Sequence, residues 1–238
     1  MLTPTPNDPL PQRIRAVVFD WRGTLVSELD ACGWVREALR LTNRDHDDHA
    51  VDTVLKAIHA PELLRRLQSP QGNTSAQRHR ETYYGVFTDA GLEKDVADAL
   101  WDIDSSTKYN HFAADAADTI HMAIENGCKI GVLSNIHFDI RPVFDAARLL
   151  EPIDAFILSN EVGVQKPDPA IFQLMLDELG TDAAATLMVG DRPSRDGAAA
   201  AVGMPTLIVP PLTDPAIRQL HIVEEAILAG HAPAARTA

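Results

Sequence analysis

The stretch IRAVVFDWRGTL, residues 14–25, runs from an apolar segment into an acid and then into Gly23-Thr24. Continuous apolar character over so few residues is the pattern of a strand covered on both faces, as in a parallel sheet. The segment ends on a carboxylate, and open parallel sheets gather their ligands at the carboxyl ends of their strands. Asp20 is therefore a strand end and a candidate functional group at once.

Beyond Thr24 the pattern changes. From Ser27 to about His111 no comparable strand occurs, whereas WVREALRL (34–41), VDTVLKAIH (51–59) and VADALWDI (96–103) carry apolar residues at helical spacing. From Ala113 onward strands and helices alternate. An Ala-rich helix ends at Asn126-Gly127, followed by a strand over CKIGVLS (128–134), a helix near 139–149 and a strand over DAFILS (154–159). A helix from Pro169 to Leu179 closed by Gly180 leads to a strand over ATLMVG (185–190). A helix near 195–202 closed by Gly203 leads to a strand over PTLIVP (205–210), and a last helix is expected from Asp214 to about Leu228. This alternation predicts a Rossmann-like α/β fold, a parallel sheet with helices on both faces. The expected core is 1–27 with 112–238, interrupted by a helical cap at 28–111. The Pro-rich first dozen residues and the AGHAPAARTA tail are expected to be loose ends.

At 238 residues with 45% hydrophobic and 23% charged content, the chain has the composition of a globular protein with a substantial core. Its 34 acidic against 21 basic residues give a formal net charge of −13, which disfavours nucleic-acid or anionic-membrane partners. The same field repels an anionic substrate, so a site for one needs local cations. Cys32 and Cys128 are far apart and lack metal-ligand spacing, which argues against a disulfide framework or a zinc site. The N-terminal MLTPTPNDPLPQR lacks a basic start and apolar run, and no stretch approaches about 20 apolar residues. A cytoplasmic location is expected; oligomeric state is not encoded in any recognisable pattern.

Inspection of the strand ends gives a carboxylate at Asp20, a hydroxyl at Ser134 and a carboxylate at Asp191, with Lys166 in the EVGVQKPDP loop after the third strand. A carboxylate nucleophile, a hydroxyl, a cation and a metal-binding carboxylate form a coherent set for phosphoryl transfer. In this order VVFDWRGTL, VLSN, QKPDPAIF and GDRPSRD resemble the four motifs of the haloacid dehalogenase superfamily, and the likeness spans essentially everything outside the insertion. The resemblance implies that Asp20 attacks phosphorus and forms an aspartyl phosphate. It also implies that Ser134 and Asn135, with backbone amides, bind the phosphoryl oxygens and that Lys166 neutralises charge. Mg²⁺ would be held by Asp20, the backbone carbonyl of Arg22, Asp191 and Asp196. The implied substrate is a small phosphorylated molecule, and the insertion resembles the family's helical cap, which closes over the site.

One position departs from that pattern. The family's phosphatases usually carry a second aspartate two residues after the nucleophile, a general acid and base worth roughly 10²–10⁴-fold in rate. Here Arg22 stands in its place, and arginine does not give up its proton. Three readings follow: a phosphatase that tolerates the loss through a good leaving group or another base, such as His137 or a residue from the insertion; a dehalogenase-type hydrolase acting at carbon; or a degenerate member that binds a phosphorylated ligand or a protein partner without turnover, or accumulates a long-lived aspartyl phosphate. The dehalogenase branch typically replaces the acidic fourth motif, which GDRPSRD retains. The Arg22 side chain either turns to solvent, pairs with a carboxylate of the insertion, or clamps a substrate anion. Arg65, Arg66, Arg78 and Arg80 are further anion-recognising candidates in the insertion, although such arginines usually face water. His46 and His49 in NRDHDDHA have helical spacing, yet a charged surface explains them better than a metal site.

Overall fold

A computed structural model describes residues 13–69 and 71–229. The expected N-terminal arm and nearly all of the C-terminal tail lie outside the described residues. Five parallel strands form one sheet in the order β3-β2-β1-β4-β5: β1 Ala16–Phe19, β2 Lys129–Ser134, β3 Ala155–Leu158, β4 Thr186–Gly190 and β5 Thr206–Ile208. Phe19 is in register with Val132 on one side and Val189 on the other, so β1 is central and its end abuts two strand ends.

Both faces of β1 are covered, as its unbroken apolar run requires. Val17 and Phe19 pack on one face with Ile120 of helix α6 (Ala116–Glu125) and Phe144 of α7 (Arg141–Ala146), while Val223 belongs to α10 (His221–Ala229). Ala16 and Val18 point the other way, to Ile171, Phe172 and Met175 of α9 (Pro169–Leu179). Two opposed apolar faces from one four-residue strand follow from the period of two. Each fully buried side chain of this size contributes about 1.5–3 kcal/mol.

The expected insertion consists of helices α1 Ala31–Leu41, α2 Asp48–Ile58, α3 Pro61–Leu67, α4 Ala76–Asp89 and α5 Lys94–Asp104. They bury an apolar cluster of their own around Val35, Leu39, Val51, Phe87 and Leu100. The two chain crossings that join these helices to the sheet run side by side. Val26 and Phe112 form an antiparallel bridge, Ser27 N–H donates to His111 O at 2.8 Å, and Ala113 N–H to Leu25 O at 2.9 Å.

Two expected helices differ from their reading. Residues Asp196–Val202 form a 3-10 helix, and the last helix begins at His221 rather than Asp214. In the second case the backbone of 214–220 bonds elsewhere: Ala114 N–H donates to Pro215 O at 2.8 Å and Leu220 N–H to the Asp115 carboxylate at 2.9 Å. No described helix is long and apolar enough to cross a membrane.

Candidate active site

Asp20, Ser134 and Asp191 end or follow adjacent strands β1, β2 and β4, so the parallel register alone brings them to one edge. Lys166 arrives from the loop after α8 (Ser159–Val162). That loop is held by Asn135, whose side chain accepts from Lys166 N–H and donates to Lys166 O, both at 2.8 Å. Asn135, expected to bind phosphate, thus spends its amide on positioning the lysine.

The Lys166 side chain is 1% exposed. Its ammonium lies 2.7 Å from Asp20 Oδ1 and 2.6 Å from Asp196 Oδ1, and donates to Leu133 O at 3.0 Å. Three protons meet three acceptors, which is what a buried ammonium requires. Burial alone would lower its pKa, but the charges of Asp20 and Asp196 outweigh that and raise it. Asp20 moves upward from the ordinary carboxylate value because its burial outweighs the attraction of Lys166.

Asp191 has weaker compensation, from the Arg192 guanidinium 3.7 Å from its Oδ2. Its Oδ1 is buried and without a hydrogen-bond partner, and burial followed by the charge of Asp20 pushes its carboxyl up to about 7. An orphaned buried acceptor costs about 1–3 kcal/mol. Carboxylate oxygens of Asp20, Asp191 and Asp196 all lie within 4.8 Å of one another. An all-oxygen trio with one unpaired atom fits a hard divalent cation. Two glycines make room for it. Gly23 has φ +79, and a Cβ there would stand 2.5 Å from Asp191 Oδ2; a Cβ on Gly190 would collide with the Asp196 carboxylate.

Arg22 turns away from this trio and into the helical cap. Its guanidinium donates to Asp104 O at 2.7 Å, Asp104 Oδ1 at 3.3 Å, Ser106 O at 3.3 Å and Asn110 Oδ1 at 3.2 Å. Of the three orientations open to it, pairing with a carboxylate of the insertion is the one adopted. Asp104 Oδ2 also accepts from His79 Nε2–H at 2.8 Å. Burial would raise the Asp104 carboxyl, but the His79 hydrogen bond and the Arg22 charge bring it down to about 2. The rings of His79 and His137 stack at 3.7 Å, and Ser105 Oγ lies 2.9 Å from His137 Nε2. Burial, then His79, lowers His137 to about 3.

These groups share a cavity of about 160 Å³ whose walls include Asp20, Ser134, Lys166, His79 and His137. His79 and Asp104 were not legible as site residues, since neither has motif spacing and only the fold brings them to Asp20; Arg195 lies within GDRPSRD, where the aspartates and not the arginine carry the expected role. His46 and His49 are exposed and take no part in the described metal-type clusters. Arg65 pairs with Glu62, Arg66 with Asp89, Arg78 bonds Gln71 and Thr74, and Arg80 lies over Tyr84 and Trp101. None of the four lines the cavity.

The sheet order, with chemically active side chains gathered at the carboxyl ends of its strands, defines an α/β protein of the hydrolase type. Residues 14–203 match the haloacid dehalogenase-like hydrolase family, and the chain belongs to it. Among its relatives, the phosphoglycolate phosphatase of Rhodospirillum rubrum is 26% identical over 82% of this chain and 79% of its own length. The ribulose-1,5-bisphosphate 5-phosphatase of Halopiger xanaduensis is 28% identical over 82% and 84%. Solved structures share the fold: a HAD phosphatase from Thermococcus onnurineus at TM-score 0.60 (23% identical, 91% of this chain and 99% of that one) and a 2-haloacid dehalogenase from Pseudomonas syringae at 0.61 (22%, 90% and 98%).

Proposed function

We propose that this hydrolase is a Mg²⁺-dependent phosphatase of a small phosphorylated metabolite, working through an aspartyl phosphate on Asp20. The observation that carries the reading is the acidic trio beside Lys166, with the buried Asp191 Oδ1 left unpaired. A dehalogenation at carbon has no use for that trio. The phosphatase names of the two relatives agree with the reading, and a cavity of about 160 Å³ suits a small ligand, since drug-sized molecules fill about 300–1,000 Å³.

In this mechanism an Asp20 carboxylate oxygen bonds to phosphorus while the bond to the leaving oxygen breaks; water then cleaves the acyl phosphate. Lys166 favours the ionised form of Asp20 against its burial and offsets charge on the transferring oxygens. Ser134 and nearby backbone amides hold those oxygens. Asp20, the Arg22 carbonyl, Asp191 and Asp196 would hold Mg²⁺, which supplies charge neutralisation at the phosphoryl group. Asp196 also fixes Lys166, since its Oδ1 meets the ammonium and its Oδ2 accepts from Arg192 N–H at 2.9 Å. The proton that the second aspartate would deliver falls to His79, oriented by Asp104 and lining the same cavity.

The test is phosphate release with and without Mg²⁺ on aryl and alkyl phosphates, for the native chain and Asp20→Asn. Release that needs both Mg²⁺ and Asp20 is expected; retained activity in Asp20→Asn overturns the nucleophile assignment. His79→Gln is expected to slow alkyl phosphates by about 10²-fold while p-nitrophenyl phosphate, whose leaving group needs no acid, changes far less. Equal losses on both would remove His79 from proton transfer. No release from any ester would favour a member that binds a phosphorylated ligand or partner without turnover.

A further inference from the structure

The cavity wall carries four cationic side chains, and three of them are matched one to one by carboxylates in the same wall. Lys166 is held by Asp20 at 2.7 Å, Arg22 by Asp104 at 3.3 Å and Arg192 by Glu28 at 2.7 Å. Arg195 is the fourth. Among the described residues its guanidinium makes no hydrogen bond and no ion pair, and the only bond recorded at this residue's own N–H is the 2.9 Å one to Arg192 O.

A half-buried guanidinium that lines the cavity and pairs with no carboxylate there presents its donors to whatever anion enters. The base of the side chain is nevertheless fixed. Arg195 immediately precedes Asp196, which is fully buried and tied to Lys166 and through it to Asp20. Its head therefore stands at a set offset from the nucleophile, and Tyr83 of α4 lines the same cavity. A planar fork in that position suits a carboxylate or phosphate taken bidentately.

We propose that Arg195 receives a second anionic group of the substrate, so that the preferred substrate is a small phosphomonoester bearing a carboxylate or a further phosphate. This rests on the phosphatase reading above and narrows its substrate class.

The experiment compares kcat/KM for matched pairs: 3-phosphoglycerate against glycerol 3-phosphate, and propane-1,3-diol bisphosphate against its monophosphate. The native enzyme is expected to favour the member bearing the second anionic group in at least one pair by about 30-fold, the worth of a charged hydrogen bond, and the favoured pair identifies carboxylate or phosphate as the anion. Arg195→Met is expected to collapse that ratio to near unity, and Arg195→Lys to restore part of it. A native enzyme without preference, or a ratio that survives in Arg195→Met, overturns the proposal. So does an equal loss on both members of a pair, which assigns Arg195 to the transferring phosphoryl group. Calorimetric binding of the same pairs to Asp20→Asn, with and without Arg195→Met, reads the same ratio without turnover. If the native chain releases no phosphate, the phosphatase reading fails, and the binding ratio alone decides for or against Arg195.

Discussion

Arg22 stands where a proton-carrying acid would be expected, and its contacts explain what an arginine does there. Its four hydrogen bonds all go to residues 104–110, at the exit of the helical cap. It ties the loop after β1 to the segment through which the chain returns from the cap. Arg22→Met leaves the Asp104 carboxylate with His79 alone, and such losses cost about 1–3 kcal/mol. A fall in Tm of roughly 3–8 °C is expected in a thermal melt, with faster hydrogen exchange across 104–113 than in the sheet. Exchange unchanged in that segment would mean that the arginine does not anchor it. At this scale the sequence was legible where a residue's chemistry coincided with a strand end, as for Asp20, Ser134 and Asp191. It was silent on His79 and Asp104, because nothing local marks a residue whose partners are 25 and 82 positions away, the separations of Asp104 from His79 and Arg22.

The sheet's elements were easier to read than its helices. Strands β1 to β4 are apolar runs that the fold largely buries, so hydrophobicity alone marks them, while the edge strand β5 is half-buried and exposes Ile208. Helix limits depend instead on where backbone groups find partners. Residues 214–220 carry helix-compatible side chains, yet Asp115 and Ala114 take their hydrogen bonds first. The 3-10 segment follows from small residues, Asp-Gly-Ala-Ala-Ala-Ala-Val, that tolerate the tighter winding. The close approach of that segment to β4 is sharpest at Gly190, where a side chain would press on Asp196. Gly190→Ala is therefore expected to displace Asp196 from Lys166 and to lower kcat for phosphate release by about 10-fold or more, since a misplaced reacting group costs heavily. Retained kcat together with a normal melt would show that the strand end yields without disturbing the lysine.

For the molecule as a whole, the seam between helices and sheet is the acid-sensitive part. His137 lies on the core side of that seam, facing His79, Asp104 and Arg22, and its folded pKa of about 3 lies below the ordinary 6.5. The unfolded chain therefore binds more protons between these values, and stability falls as pH drops through that window, by at most about 1.4 kcal/mol per pH unit. Asp104, held at about 2 against an ordinary 3.8, adds a further loss only at the acid end. Asp191, raised to about 7, acts in the opposite sense in both chains, so going from pH 7 to pH 5 is expected to move Tm further downward in the native chain than in His137→Gln; equal shifts would place the acid sensitivity elsewhere. The two strand-like crossings at Val26 and Phe112 carry a different consequence. Because the insertion leaves and re-enters the sheet through a single clasped ribbon, its two ends are neighbours, and the helical module can be lifted out or exchanged at one seam without re-threading a strand. A lineage that kept the sheet and swapped the module would keep its nucleophile and its lysine while changing its proton donor and its appetite.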